Sequence, residues 1–411
     1  MKEKGTINFN EVQSLMKNEL DEIVRQAAEK MIRTGINIEL SEFMKRYSGL
    51  TTDDGHHAVV KNGYHKERQV TVNAGTVKVK IPRTRNRIGG ENFYSSLVPR
   101  YFKRSLTIDG AVPLLYLKGI STNDMESALK SLLGGSIEGL SSANVSRLKN
   151  IWLEEFNNWN KRTLTEKDYC YIWVDGIHFN LRLEEERLCI LVMLGVKEDG
   201  TKELIGIESG YRESGDSWSC FLRNLKSRGL KSPKLFIGDG ALGFWKATRD
   251  IFPESKWQRC WVHKTANILD KMPKKVQPAA KNMIHEIYMA PTRKDAFAAY
   301  DLFISTYQSK YPKAVECLNK NKEELFAFYD FPADHWIHIR TTNAIESTFA
   351  TIRLRTAKTR GMGNAKTAMA MVFKLMLEAE KRYAKLKGYK HIPLVMNGTV
   401  FRDGELQENI A

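Results

Sequence analysis

Two aspartates stand where their neighbours argue against them. Asp175 lies between Val174 and Gly176 in the aromatic and β-branched run YCYIWVDGIHFN, and Asp239 follows the apolar residues 235–237 inside Gly238-Asp239-Gly240. Aspartate has poor strand propensity, and a carboxylate among such neighbours is costly to bury unpaired. Each acid therefore faces a wet cleft or holds something positive. Two acids at the tips of neighbouring strands suit a metal-dependent site for phosphoryl transfer. Cutting and joining phosphodiesters needs charge stabilisation on both the attacking and the leaving oxygen, and two divalent ions about 4 Å apart supply it. Mg²⁺ or Mn²⁺ takes oxygen ligands and keeps several waters, so a few carboxylates suffice. The third candidate is Glu346, in the stretch DHWIHIRTTNAIESTFATIRLRTAKTR. Asp175 would bridge the two ions, with Asp239 and Glu346 each completing one side. The plain alternative is three surface acids among 48 Asp and Glu. The apolar setting argues against it for the two aspartates, whereas spacing alone does not single out Glu346.

The elements that must hold these acids follow from periodicity. Residues 171–178, 187–195 and 202–209 read as successive strands, with a turn at Glu198-Asp199-Gly200. A helix over 217–228, a strand over 235–239, a helix over 242–251 and a strand over 256–261 come next. Three strands, helix, strand, helix, strand is the element order of a ribonuclease-H-like α/β fold, its first three strands antiparallel and the later ones parallel. From about 263 to 333 the pattern is wholly helical and punctuated by Pro273, Pro278, Pro291 and Pro312, which reads as an all-α insertion. Thr341 or Thr342 then caps a helix carrying Ile345, Phe349 and Ile352. Glu346 and Arg353, two turns apart, share one of its faces, and Arg355, Lys358 and Arg360 add positive charge. A further helix is expected over 365–386.

Cys260 and His263 have Cys-x-x-His spacing, which invites a zinc reading. Structural zinc takes four ligands, and no second pair stands at similar spacing; Cys317 and His285 are isolated, and His335 with His338 lies beyond the helical stretch. The pair is expected to fix the strand-to-helix corner, with Cys260 buried beside the strand of Asp239 and His263 near the site or on the scissile phosphate.

The 411 residues carry a net charge of +16, which favours a polyanionic partner, nucleic acid first. No apolar run reaches the ~20 residues of a membrane span, and residues 1–13 lack a signal-peptide core; the expected location is the cytoplasm, at the bacterial nucleoid. Five scattered cysteines argue against a disulfide framework.

Toward the N-terminus, apolar residues from Val12 to Ile32 recur at helical spacing and Gly35 is a plausible stop. Such a helix suits self-association, a DNA-binding bundle or packing on its own domain. Residues 53–68 read as a linker with solvated His56, His57 and His65. Val70, Val72, Val77, Val79 and Ile81 form the apolar face of a β-hairpin around Asn73-Ala74-Gly75, ended by Pro82. Lys78 and Lys80 on its other face, then Arg83, Arg85 and Arg87 with tyrosines beyond, suit phosphate contacts or a merely solvated surface. Helices starting at Ser121 and at Ser141 or Ser142 resemble a helix-turn-helix, with Ser142, Asn144 and Arg147 leading the reader, or a plain helical hairpin. The expected divisions are 1–52 (helical), 53–165 (DNA-binding), 166–262 (first core part), 263–335 (insertion), 336–388 (second core part) and 389–411 (tail).

The stretches VDGIHFNLRLEEERLCILV, GDGALGFWKATRDIFPESKWQRCWVHKTANILDK and HWIHIRTTNAIESTFATIRLRTAKTRG, with STNDMESALKSLLG and NGYHKERQVTV, resemble the Mutator-type transposases of bacterial insertion sequences over nearly the whole chain. The resemblance implies a DDE transposase with Asp175, Asp239 and Glu346 as its triad, two Mg²⁺ or Mn²⁺ ions per site, and an α-helical insertion between the second Asp and the Glu. It implies a Cys-x-x-His motif, here Cys260 and His263, and a basic residue one heptad after the Glu, here Arg353. The implied partners are double-stranded DNA, as terminal inverted repeats and target, and further copies of the chain in a homodimer or higher oligomer. The rival expectations are a DNA-binding regulator without chemistry and a ribonuclease-H-like nuclease without strand transfer.

Overall fold

The computed structural model describes residues 19–120, 124–125, 127–129, 142–180, 187–210, 214–240, 242–358 and 364–407. The chain forms two compact units, Met1–Leu148 and Lys149–Ala411.

In the first unit α1 (Glu19–Arg46) runs straight through Gly35, against the expected stop. A Cβ at Gly35 would lie 2.6 Å from Leu97 Cδ1, so this glycine serves the close approach of another segment and not helix termination. The Glu39 carboxylate holds that segment, accepting from the Ser96 and Leu97 N–H groups and the Ser95 and Ser96 hydroxyls. Ile36, Leu40 and Phe43, one helix face, are buried with Val59, Val70, Val77, Val79, Phe93 and Val98. Ile23, Val24 and Met31 are exposed.

The hairpin pairs β2 (Arg68–Val72) with β3 (Gly75–Val79), Val72 opposite Gly75. The supposed linker contains a strand, β1 (Val59–Tyr64), which pairs with β4 (Pro82–Asn86). Pro82 thus opens a strand, a position where its missing N–H is tolerated. Pro82 and Thr84 are buried while Arg83 and Arg85 point outward. A helix not expected from the sequence, α2 (Leu106–Leu117), follows. The helix anticipated from Ser121 lies largely outside the described residues. Its expected partner is α3 (Ser142–Trp159), long for a reader helix.

The second unit is built on a mixed sheet of β5 (Tyr169–Asn180), β6 (Arg187–Lys197), β7 (Lys202–Gly210), β8 (Leu235–Gly238) and β9 (Lys256–Arg259), in the order β7-β6-β5-β8-β9. β5, β6 and β7 are antiparallel, and β8 and β9 join in parallel. One face carries Ile172, Val174, Leu191, Met193 and Phe236 into a core with α4 (Gly215–Ser227) and α5 (Leu242–Ile251). Because strand residues alternate sides, Tyr171, Trp173 and Asp175 share the opposite face.

Next come α6 (Trp261–Leu269), α7 (Gln277–Met289), α8 (Arg293–Tyr307) and α9 (Pro312–Asn319), Pro278 and Pro312 sitting in first turns where no N–H is missed. α10 (Asn343–Lys358) packs on β5, and α11 (Ala365–Glu380) on β7, ending earlier than the expected 386. Among the described residues no helix is long and apolar enough to cross a membrane.

The Asp175 face of β5 is anchored by two histidines. Tyr171 Oη lies 2.7 Å from His335 Nδ1, and His335 Nε2 lies 2.9 Å from the Gly388 carbonyl. A carbonyl only accepts, so Nε2 carries the proton and Nδ1 accepts from the tyrosine. Trp173 Nε1 donates to the His338 carbonyl, and His338 Nε2 accepts from the Lys387 N–H. His338, which accepts at Nε2, is thereby neutral, and burial favours the neutral form of His335. Burial pushes His335 down to about 4, and burial with the nearby Lys202 and Lys387 charges does the same to His338.

This neutrality predicts an acid-labile fold. Each histidine binds a proton more readily unfolded, near 6.5, than folded, near 4. The stability they contribute is complete above pH 6.5 and is lost as pH falls from there toward 4, by about 3 kcal/mol for His335. Denaturant unfolding across that window should show the loss. His335→Gln should be less stable at neutral pH and less sensitive to acid; pH profiles of equal slope would refute the assignment.

Candidate active site

Asp175 and Asp239 become neighbours through strand pairing. Trp173 pairs with Ile237 in the parallel β5–β8 ladder, and two residues further along each chain stand Asp175 and Asp239. Both are half-buried. Oδ1 of Asp175 accepts from the Gly176 N–H at 2.8 Å.

Asp239 sits in the turn that leaves β8. Gly240 there has φ +93°, a conformation that favours glycine, and a Cβ on it would lie 2.4 Å from Arg259 Nε. Arg259 ends β9, opposite Gly238. It is buried, and Nη1 donates to Asn321 Oδ1 at 2.9 Å. Burial lowers its pKa, while Asp239 is among the charges opposing that shift. The turn is therefore backed by a buried cation.

Glu346 arrives from a distant part of the chain, in the first turn of α10. Cys260 and His263 meet it at the start of α6, and the ligand-type atoms of the three lie within 4.8 Å of one another. Cys260 is fully buried, and its N–H donates to the Gly238 carbonyl at 2.7 Å. That bond ties the corner to the strand of Asp239. His263 Nδ1 lies 3.7 Å from Glu346 Oε1. The imidazole is held up to about 9, first by its hydrogen bond with Cys260, then by the charges of Cys260, Asp175 and Glu346, against its burial. At neutral pH it is a cation between carboxylates.

Thr342 lies at the centre of this corner. Its N–H donates to Cys260 Sγ at 3.3 Å; its Oγ1 lies 3.2 Å from that sulfur, 3.3 Å from His263 Nδ1 and in a short hydrogen bond with Glu346 Oε1. A hydroxyl has one proton to give, so it serves the carboxylate or the sulfur while accepting from the imidazolium. Sequence reasoning saw this threonine only as a possible helix cap. The missed signal was Thr-x-x-x-Glu spacing, which sets the two side chains one turn apart on one face.

Arg353 is exposed, two turns beyond Glu346 on α10, with its guanidinium 6.0 Å from the Phe349 ring centre. In the first unit Lys78, Lys80, Arg83, Arg85 and Arg87 are all exposed; Lys80 lies 3.6 Å from Glu67. The side chains of Ser142, Asn144, Arg147, Arg355 and Lys358, and all of Arg360, lie outside the described residues. Chemically the corner offers oxygen donors at two strand tips and a helix start, with a fixed cation among them.

A family model described as "Transposase, Mutator family" matches residues 1–385. The transposase for insertion sequence element IS6120 of Mycolicibacterium smegmatis is 49% identical over 297 residues, 72% of this chain and 92% of that protein. The transposase for insertion sequence element IST2 of Acidithiobacillus ferrooxidans is 46% identical over 288 residues, 68% of this chain and 95% of its own. The transposase for IS256 in transposon Tn4001 of Staphylococcus aureus is 28% identical over 379 residues, 91% of this chain and 94% of its own.

The corner predicts no tightly held zinc. Cysteine, histidine and glutamate supply three donors, but the Thr342 hydroxyl lies among them and joins them by hydrogen bonds, where zinc would need bonds of about 2.0–2.3 Å to each. Elemental analysis of protein purified without chelator should find well under one zinc per chain. One zinc per chain, lost on Cys260→Ser, would overturn this.

Proposed function

This chain belongs to the Mutator family of transposases, and we propose that Asp175, Asp239 and Glu346 are its catalytic carboxylates. As a transposase of an insertion sequence it binds DNA, cleaves it and joins the freed end to another strand. The observation that carries the assignment is the parallel register of β5 and β8, which aligns the two aspartates, with Glu346 reaching the same corner through His263. We read the sheet as a ribonuclease-H-like core and residues 263–335 as a helical insertion between the second aspartate and the glutamate. Three antiparallel strands followed by two parallel ones support that reading.

The donor set fits a hard divalent cation, since all three acids offer oxygen. Asp175, Asp239 and Glu346 would together hold two Mg²⁺ or Mn²⁺ ions. Bound there, such ions would supply Lewis-acid activation and charge neutralisation at the reacting phosphodiester. The chain's own residues do the remaining work. The His263 imidazolium donates a hydrogen bond to a non-bridging oxygen of the scissile phosphate. Cys260 holds the strand-to-helix corner. Arg353 binds a neighbouring phosphate, as a guanidinium does with two parallel N–H groups, and Arg355, Lys358 and Arg360 extend that contact. Lys78, Lys80, Arg83, Arg85 and Arg87 hold the backbone of the terminal inverted repeats, and Ser142, Asn144 and Arg147 lead the helix that reads their bases. Target DNA and a second copy of the chain, in a dimer or larger assembly, complete the complex.

Asp175→Asn, Asp239→Asn and Glu346→Gln should each lower cleavage of an inverted-repeat end by about 1,000-fold or more, the scale of losing charge stabilisation at the reacting phosphate. Binding of the same duplex should stay within a few-fold. A variant cutting near the wild-type rate would remove that residue from the triad, and wild-type protein that binds ends yet cuts nothing in Mg²⁺ or Mn²⁺ would favour the regulator.

Arg83→Ala with Arg85→Ala should weaken end binding without abolishing it. Each lost phosphate contact should lower the slope of log affinity against log salt by about 0.9. An unchanged slope in gel-shift titrations would mark both arginines as solvated surface.

A further inference from the structure

Thr342 starts α10, where a threonine hydroxyl ordinarily accepts an N–H of the helix's first turn. Here the helix does not use it. The Thr342 carbonyl takes the Ile345 and Glu346 N–H groups at 2.9 and 3.1 Å, and Thr341 Oγ1 faces the Asn343 N–H at 3.4 Å. The Thr342 side chain is fully buried, and its hydroxyl goes to Cys260, His263 and Glu346. A buried hydroxyl is costly unless satisfied, and among the described residues this one is satisfied by side chains of the proposed site.

We propose that Thr342 is a positioning residue of the active site: its hydroxyl fixes Oε1 of Glu346 and leaves Oε2 as the oxygen available to a divalent cation. The inference rests on the reading of Glu346 as a metal ligand. Carboxylates that bind metals are commonly oriented by such partners, and losing one costs about 10–100-fold in metal affinity or activity. Cys260 and His263 act through the same hydroxyl. The sulfur anchors the backbone of Thr342, and His263 Nδ1 lies 3.3 Å from Oγ1, the atom in the short bond to Glu346.

The test compares full-length wild type with Thr342→Val, which keeps the shape and loses the hydroxyl, Thr342→Ser, which keeps the hydroxyl, Glu346→Gln, and the double variant Thr342→Val/Glu346→Gln. Mn²⁺ binding is followed by electron paramagnetic resonance without DNA, and end cleavage is measured against Mg²⁺ concentration. Thr342→Val should bind Mn²⁺ about 10–100-fold more weakly and need correspondingly more Mg²⁺, with the serine variant within about threefold of wild type. In the Glu346→Gln background the valine should add nothing further, the mark of one residue acting through another. Wild-type Mn²⁺ affinity in Thr342→Val, or an equal loss with and without Glu346, would overturn the proposal. Should the valine variant fail to fold, serine decides against Thr342→Ala: serine at wild-type affinity supports the role, and serine as weak as alanine refutes it. If Glu346→Gln alone leaves Mn²⁺ binding and cleavage intact, the catalytic reading of Glu346 fails first, and visibly so.

Discussion

Two acids held two residues beyond one parallel strand pairing are the constraint on which this corner depends. The β5–β8 register sets Asp175 and Asp239 each two residues beyond the paired Trp173 and Ile237. Positive charge stands close by. The pKa of His263 is held up first by its hydrogen bond with Cys260 and then by the charges of Cys260, Asp175 and Glu346, and Arg259 remains beside the turn of Asp239 despite burial. Both cations come from one short segment, the end of β9 and the start of α6.

The strand order and both aspartates were legible because they rest on local pattern. An acid inside an apolar strand contradicts its neighbours, and the contradiction is visible in a window of ten residues. Glu346 was not legible that way. It lies on an ordinary amphipathic helix, and only family resemblance singled it out. Thr342 was hidden for a related reason: its partners Cys260 and His263 stand about eighty residues earlier, and threonine before a helix is adequately explained as a cap. Gly35 misled in the opposite direction. Glycine near the end of a periodic run reads as a stop, yet here the missing side chain admits Leu97. The strand β1 escaped notice because its exposed face carries Lys61, Asn62 and Tyr64, which look like linker until Pro82–Asn86 is seen beside it.

The face of β5 that carries Asp175 is held in place by its aromatic residues. Tyr171, Trp173 and Asp175 share one face of β5, and the first two are tied to the segment 335–338 by His335 and the His338 carbonyl. That segment leads within a few residues to Thr342 and α10. The strand carrying the first aspartate and the helix carrying the glutamate are thus referenced to the same short piece of chain. Neutral histidines suit this task, since a charged imidazole in so buried a place would need a counter-ion.

The same economy explains how a long helical excursion can separate the second aspartate from the glutamate. The chain leaves the sheet at Cys260 and returns at Arg340. The Trp261 N–H donates to the Arg340 carbonyl at 3.0 Å, and the Thr342 N–H to Cys260 Sγ at 3.3 Å. Departure and return are bonded to each other at the site itself. Closing a loop costs free energy only logarithmically in its length, about 0.6 kcal/mol per doubling, so what matters is how firmly the ends are held and not how much chain lies between. Here the excursion is pinned inward as well: Lys264 donates to the Lys320 carbonyl and Arg259 to Asn321. Cys260 is then more than half of a metal-like pair. It is the knot at which Asp239's strand, the helical segment and the glutamate's helix meet, which is why a small, polarisable and fully buried side chain able to accept two hydrogen bonds stands there.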